Sequence, residues 1–201
     1  CPIKDDLIMM TNSHWQFSVT EVKQELGLDH LHVVNDFTAA AMCLPILKQE
    51  EKIQIGGVQA IEGEPMVILG AGTGLGVAHL IPTDQGFLPL AGEGGHVDWA
   101  AQTEQEWFIY NYLKEKYRHV SAERVLSGPG LEQVYLALAA LQGLVVQELS
   151  AKEIVQLALS GHSRLATATV EQFLASLGSF AGDLALTANA YGGVYLAGGI
   201  L

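Results

Sequence analysis

The sequence predicts an α/β protein assembled from more than one domain, and three observations carry that reading. Residues 13–47 read as helix, strand, helix. Two apolar, strand-like runs flank a glycine-rich turn, Gly70-Ala71-Gly72-Thr73-Gly74-Leu75-Gly76. A succession of capped helices over residues 103–189 then ends in a second strand-like run, Val194-Tyr195-Leu196-Ala197. With 201 residues, 49% of them hydrophobic and 16% charged, the chain can bury a large core and is not disordered.

The first helix is expected to open at the Ser18-x-x-Glu21 capping box and run through Leu26, with Gly27 placed to close it. The run Leu31-His32-Val33-Val34 follows as a strand that delivers Asn35 and Asp36 to its carboxyl end. The alanine-rich residues 37–44 then continue as a helix until Pro45. A short strand-like run, Ile53-Gln54-Ile55, precedes Gly56-Gly57, and a domain boundary is placed near residue 46. Residues 1–46 read as the tail of one α/β domain and residues 47–201 as most of another.

In the second part, Met66-Val67-Ile68-Leu69 leads into the glycines and residues 76–81 lead out as a second strand. The loop Ala91-Gly92-Glu93-Gly94-Gly95-His96-Val97-Asp98 comes next. A Thr103-x-x-Glu106 box opens a helix to Tyr117, and Ser127-Gly128-Pro129-Gly130 starts another over residues 131–141. Ser150-x-x-Glu153 opens a third to Ser160, and a long helix covers residues 164–189. No internal repeat or low-complexity segment is present.

The glycine turn discriminates among phosphate-binding designs. A dinucleotide fingerprint needs G-x-G-x-x-G opening a helix, but Leu75 and Val77 stand where the third glycine belongs. A P-loop needs Gly-Lys-Ser/Thr, and the turn has no lysine. What remains is a hairpin whose bare N–H groups converge on phosphate oxygens, helped by the Thr73 hydroxyl, or else a plain flexible hairpin between core strands. No lysine or arginine occurs between Lys52 and Lys114, so phosphate held there calls for a divalent cation, magnesium brought in with the nucleotide.

A net charge of −12 argues against nucleic acid or an anionic membrane as partner and favours a small polar substrate. Two cysteines, Cys1 and Cys43, give neither a disulfide framework nor a zinc site, which points to a reducing cytoplasm. No signal peptide or bilayer-crossing run is found. The opening Cys1-Pro2-Ile3 and the close at Ala197-Gly198-Gly199-Ile200-Leu201 read as an internal piece of a longer protein.

Asp36, at a strand-to-helix junction, is either a helix cap or a proton acceptor, and Asn35 beside it has the same two readings with an amide suited to sugar hydroxyls. Glu93 and His96 suit polyol recognition; a zinc site would need a further nitrogen or sulfur ligand, and a solvated loop stays open as the bland alternative. Glu123 is a further hydroxyl acceptor or, from spacing alone, half of a local pair with Arg124. Cys1, Cys43, His30, His32 and His162 are taken as structural or surface residues.

Taken together, Met10-Thr11-Asn12 with Trp15, Asn35-Asp36-Phe37, the turn from Gly70 to Gly76, Gly92-Glu93-Gly94-Gly95-His96-Val97-Asp98, Ser121-Ala122-Glu123-Arg124-Val125-Leu126-Ser127-Gly128-Pro129-Gly130 and Ala197-Gly198-Gly199-Ile200 resemble bacterial ATP-dependent glucokinase, in that order and over essentially the whole chain. The resemblance implies the actin-like, ribonuclease-H-like ATPase fold, two α/β domains around a cleft, with residues 1–46 belonging to the smaller one and 47–201 to the larger. It implies Asp36 as catalytic base and Asn35, Asp36, Glu93, His96 and Glu123 as glucose ligands. Gly70, Gly72, Thr73, Gly74 and Gly76 match the second phosphate loop, and Gly198 and Gly199 the start of the adenosine pocket. Substrates would be glucose and ATP with Mg2+, no residue here is assigned as a metal ligand, and a homodimer is compatible with the chain. The first phosphate loop of that family is missing, so the isolated piece is expected to be inactive. A sugar-sensing regulator on the same scaffold is the alternative. The sugar kinase and repressor family with a cysteine-rich zinc loop matches less well, because residues 97–120 hold no cysteine.

Overall fold

The computed structural model describes residues 6–9, 14–56 and 58–200; Cys1, the Met10-Thr11-Asn12 motif, Gly57 and Leu201 lie outside the described residues. Two short antiparallel strands come first, β1 (Leu7–Met9) and β2 (Gln16–Ser18), with Leu7 opposite Ser18. Helix α1 (Val19–Glu25) follows directly. Ser18 caps it by accepting from the Glu21 N–H at 3.0 Å, and Gly27 closes it with a left-handed φ of +61°. Asp6, not Glu21, supplies the carboxylate that completes this cap, accepting from the Thr20 N–H at 2.8 Å and the Ser18 hydroxyl at 2.5 Å. These bonds, led by the one from Ser18, hold the Asp6 carboxyl below its ordinary pKa.

Two expected strands are absent. Residues 31–34 and 53–55 join no ladder among the described residues, and Ile53 and Ile55 are almost fully exposed. Apolar alternation makes a strand only where a neighbouring edge satisfies the backbone N–H and C=O groups, and among the described residues no strand pairs with either run. Asp36 therefore does not sit at the end of a strand. It is the first residue of helix α2 (Asp36–Cys43), capped by Asn35 and ended by a 3₁₀ turn at Leu44–Ile46 that contains Pro45.

The main sheet begins with β3 (Met66–Ala71), β4 (Leu75–Thr83) and β5 (Gly86–Ala91), a three-stranded antiparallel meander. The sequence pattern alone does not predict strand β5, which carries Pro89. It lies at one edge of the sheet, where a missing N–H is tolerated. Helices α3 (Glu104–Lys116), α4 (Gly128–Leu141), α5 (Ala151–Leu159) and α6 (Arg164–Ala188) follow. The boxes at Thr103/Glu106 and Ser150/Glu153 are fully reciprocated, as expected, and Asn189 ends α6 in a left-handed conformation. Strand β6 (Gly193–Ala197) then pairs parallel to β3, giving the order β5-β4-β3-β6.

Alternate residues of the central strand serve opposite cores, the period-two consequence of the pleat. Val67, Leu69 and Ala71, with Leu75 and Val77, face the helical layer, where they join Ile109, Leu113, Leu131, Leu138, Ile154 and Phe173. Met66, Ile68, Ala78 and Leu80 face the other way and meet Ala41 and Leu44 at the end of α2. Each fully buried leucine contributes about 1.5–3 kcal/mol through loss of water contact. The result is a sheet clamped on both faces, with its β3–β4 turn left open. Among the described residues, no helix is long and apolar enough to cross a membrane.

Candidate functional site

Four parts of the chain make up the site, the turn between β3 and β4 among them. The first is the start of α2. Asn35 Oδ1 accepts from the N–H groups of Phe37 at 2.9 Å and Thr38 at 3.4 Å, so the cap role belongs to Asn35. Its side chain is exposed. Asp36 is exposed; its Oδ1 accepts from the Phe37 N–H at 2.9 Å, and Oδ2 has no hydrogen-bond partner among the described residues. The Phe37 ring, half-buried, lies against Gly70 and Gly76.

Within the turn, the N–H groups divide into committed and open donors. Gly72 N–H donates to the Gly74 carbonyl at 2.9 Å, and the Gly72 carbonyl accepts from Gly128 N–H at 2.8 Å, which ties the start of α4 to the hairpin. Leu75 N–H donates to Glu123 Oε2 at 3.0 Å. Among the described residues, the N–H groups of Thr73 and Gly74 have no acceptor, and Thr73 is exposed.

The third segment is the acidic and imidazole cluster. Glu93 leads into the 3₁₀ turn Gly94–His96, and Glu123 sits in a second 3₁₀ turn, Ala122–Arg124. His96 Nε2 stands 4.0 Å from Glu93 Oε2 and 3.9 Å from Glu123 Oε2. The two turns are held together by paired backbone: Trp99 N–H donates to Val120 O at 3.0 Å and Ala122 N–H to Val97 O at 2.8 Å. His119 Nε2 and Asp98 Oδ1 lie 2.7 Å apart across the same pairing. The loop can lie this close to β4 because residue 95 is glycine; a Cβ there would collide with the Leu75 carbonyl oxygen. Spacing alone had favoured a local Glu123–Arg124 pair. Glu123 instead bonds the hairpin backbone, and the Arg124 guanidinium lies over the Tyr117 ring, 4.3 Å from its centroid.

The fourth segment follows β6. Because β6 is parallel to β3 with Gly70 beside Ala197, Gly198 arrives next to Ala71, with φ +119° and a Cβ direction that points into the Ala71 backbone. Arg124 is the feature the linear reading missed. The cation-free stretch from residue 53 to 113 suggests a turn remote from positive charge, yet Arg124 and Thr73 line one small pocket together with Tyr117, Ser127 and Gln133. Nothing in the spacing signals that approach.

This sheet, its helical layer and the turn that gathers the other segments define a protein of the actin-like ATPase fold. The glucokinase family model matches residues 1–201, and the chain belongs to that family. It is 47% identical over all 201 residues to the glucokinase of Salmonella heidelberg (strain SL476), of which it covers 63%. The chain thus spans just under two thirds of the length of the curated relatives it matches. The crystal structure of glucokinase from an Antarctic psychrotroph superposes with a TM-score of 0.91 at 41% identity, over 99% of this chain and 62% of that one. A glucokinase from Balamuthia mandrillaris in complex with glucose shares the fold, with a TM-score of 0.72 at 21% identity, over 96% of this chain and 59% of that one.

Proposed function

We propose that the protein transfers the γ-phosphoryl group of MgATP to the 6-hydroxyl of glucose. The observation that carries this reading is the bond from Leu75 N–H to Glu123 Oε2, with His96 3.9 Å from the same oxygen. It makes the hydroxyl-reading cluster and the phosphate-type turn parts of one structure, as a phosphoryl transfer between a sugar and a nucleotide requires. A regulator that only senses sugar needs no such junction, and the relatives give it no support.

In this reading Asn35 donates from its amide nitrogen to a ring hydroxyl, while Glu93 and Glu123 accept from hydroxyls and His96 does either. Thr73 and Gly74 offer their open N–H groups to phosphate oxygens, with Gly70, Gly72 and Gly76 shaping the turn and Gly198 and Gly199 beginning the adenosine pocket. Magnesium bound with the triphosphate would neutralise its charge, with no residue of this chain assigned to hold it. Asp36 takes the 6-hydroxyl proton as the oxygen attacks the γ-phosphorus and the bond to the β-phosphate breaks. A carboxylate is too weak a base to remove that proton beforehand, so the transfer comes late. Residues 1–46 would close the smaller domain and 47–201 form most of the larger, with α2 carrying the base onto the large sheet. We place the protein in the cytoplasm, where the exposed Cys43 thiol stays reduced.

The test is glucose 6-phosphate formation by a protein of full family length, with Asp36→Asn beside it. The expected result is a fall in kcat of about 10²–10⁴-fold with little change in glucose KM. Near-normal turnover in Asp36→Asn would remove the base assignment.

A further inference from the structure

Gly70 and Gly76 stand directly opposite each other in the β3–β4 ladder, and neither has a positive φ. Backbone conformation therefore does not demand glycine at either position. A Cβ on Gly70 would lie 2.6 Å from Phe37 Cζ and 2.6 Å from the Ala197 carbonyl oxygen. A Cβ on Gly76 would collide with Phe37 Cδ2 and Cε2 and lie 2.5 Å from Cγ. The two absent side chains form a notch across adjacent strands, and the Phe37 ring fills it.

Phe37 is also the residue after Asp36, and its N–H is held by both Asn35 Oδ1 and Asp36 Oδ1 at 2.9 Å. A flat, stiff ring seated between two strands fixes the first turn of α2 in position along the hairpin. We propose that Phe37 is a positioning residue: its ring, keyed into the Gly70–Gly76 notch, sets the Asp36 carboxylate relative to the phosphoryl group held at Thr73 and Gly74. The proposal rests on Asp36 as base and on the turn as phosphate-binding.

Plain packing makes a different prediction. Ala41 and Leu44 already tether the far end of α2 to the sheet, so a ring that merely packs would lower Tm when removed and leave turnover per folded molecule intact. A ring that positions the base changes turnover first. A displacement of about 1 Å at a reacting group costs on the order of 10²-fold.

The experiment compares Phe37→Ala, the milder Phe37→Leu, Gly76→Ala and the double variant Phe37→Ala/Gly76→Ala in a protein of full family length. Turnover is expressed per folded molecule, and amide hydrogen exchange is followed at residues 36–40 and 72–76. Phe37→Ala and Gly76→Ala should each lower kcat about 10–100-fold, with glucose and MgATP KM changing by less than about threefold. The double variant should be no worse than Phe37→Ala, because the added methyl group then meets no ring. Gly76→Ala should also speed exchange in the first turn of α2, and Phe37→Ala should speed it in the hairpin. Turnover of Phe37→Ala within about twofold of wild type, losses that multiply in the double variant, or exchange unchanged in the partner segment would each overturn the proposal. If the unsubstituted protein makes no glucose 6-phosphate, the functional reading falls, and the exchange data alone decide whether the notch locks α2.

Discussion

Glu123 offers a sharp separation of stability from recognition. Its carboxylate accepts from the N–H of Leu75, a residue 5% exposed, so Glu123→Ala leaves a nearly buried donor without a partner. Such a loss costs about 1–3 kcal/mol. At about 2 kcal/mol and 2–4 °C per kcal/mol for a domain of this size, Tm should fall by about 4–8 °C. Glu123→Gln keeps an oxygen acceptor in the same place, so its Tm should stay within about 2 °C of wild type. On the recognition side the order changes, because the amide has one acceptor oxygen where the carboxylate has two. Both variants should raise the glucose Kd, Glu123→Gln by about tenfold, the value of a lost charge-assisted hydrogen bond. Differential scanning calorimetry and glucose titration of the three proteins measure both quantities. Equal destabilisation by Gln and Ala, or an unchanged glucose Kd in Glu123→Gln, would refute the shared role of this carboxylate.

Three further outcomes are expected. Asn35→Ala removes the α2 cap and should cost about 1 kcal/mol in denaturant unfolding, whereas Asn35→Asp keeps an acceptor for the Phe37 and Thr38 N–H groups and should lose glucose affinity with little loss of stability. Burial of Glu106 works to raise its pKa, but bonds from the N–H groups of Gln102 and Thr103, and from Gln172 and Thr103 side chains, outweigh it and hold the carboxyl below its ordinary range. Because the folded value is the lower one, Glu106 stabilises the protein above the unfolded pKa and that contribution is lost as pH falls through the folded one; the Tm difference between wild type and Glu106→Gln should shrink as pH drops below about 4.5. Leu69→Ala, at a wholly buried position of β3, should cost about 2–5 kcal/mol by urea unfolding and leave glucose KM unchanged in whatever remains folded.

Helices were legible wherever side chain and backbone satisfy each other locally. The Thr103/Glu106 and Ser150/Glu153 boxes were read with their correct starts, whereas α4 begins at Gly128 behind the Ser127 cap, three residues before residue 131, because Gly128 and Pro129 enter its first turn. Strands were legible only in part. Residues 66–69 and 76–81 were found, whereas residues 31–34 and 53–55 pair with no strand among the described residues and the pattern alone did not predict β5, which carries Pro89. Asn35 and Asp36 were ambiguous as neighbours in sequence; the hydrogen bonds from Phe37 and Thr38 assign the cap to Asn35.

The sequence alone determined what depends on near neighbours: the alternation of α and β elements, the caps, the glycine turn between two core strands, and the ordered motifs that marked the family. The tertiary structure decided what depends on residues distant along the chain. Only pairing β6 to β3 brings Gly198 beside Ala71, and only the fold carries Glu123 across 48 positions to the Leu75 N–H. It also supplied the reason for two of the glycines, which leave room for an aromatic ring from 33 and 39 residues earlier. Spacing reports periodicity and local hydrogen bonding, while contacts of this kind follow from sheet order and layer packing, which no single stretch of the chain encodes.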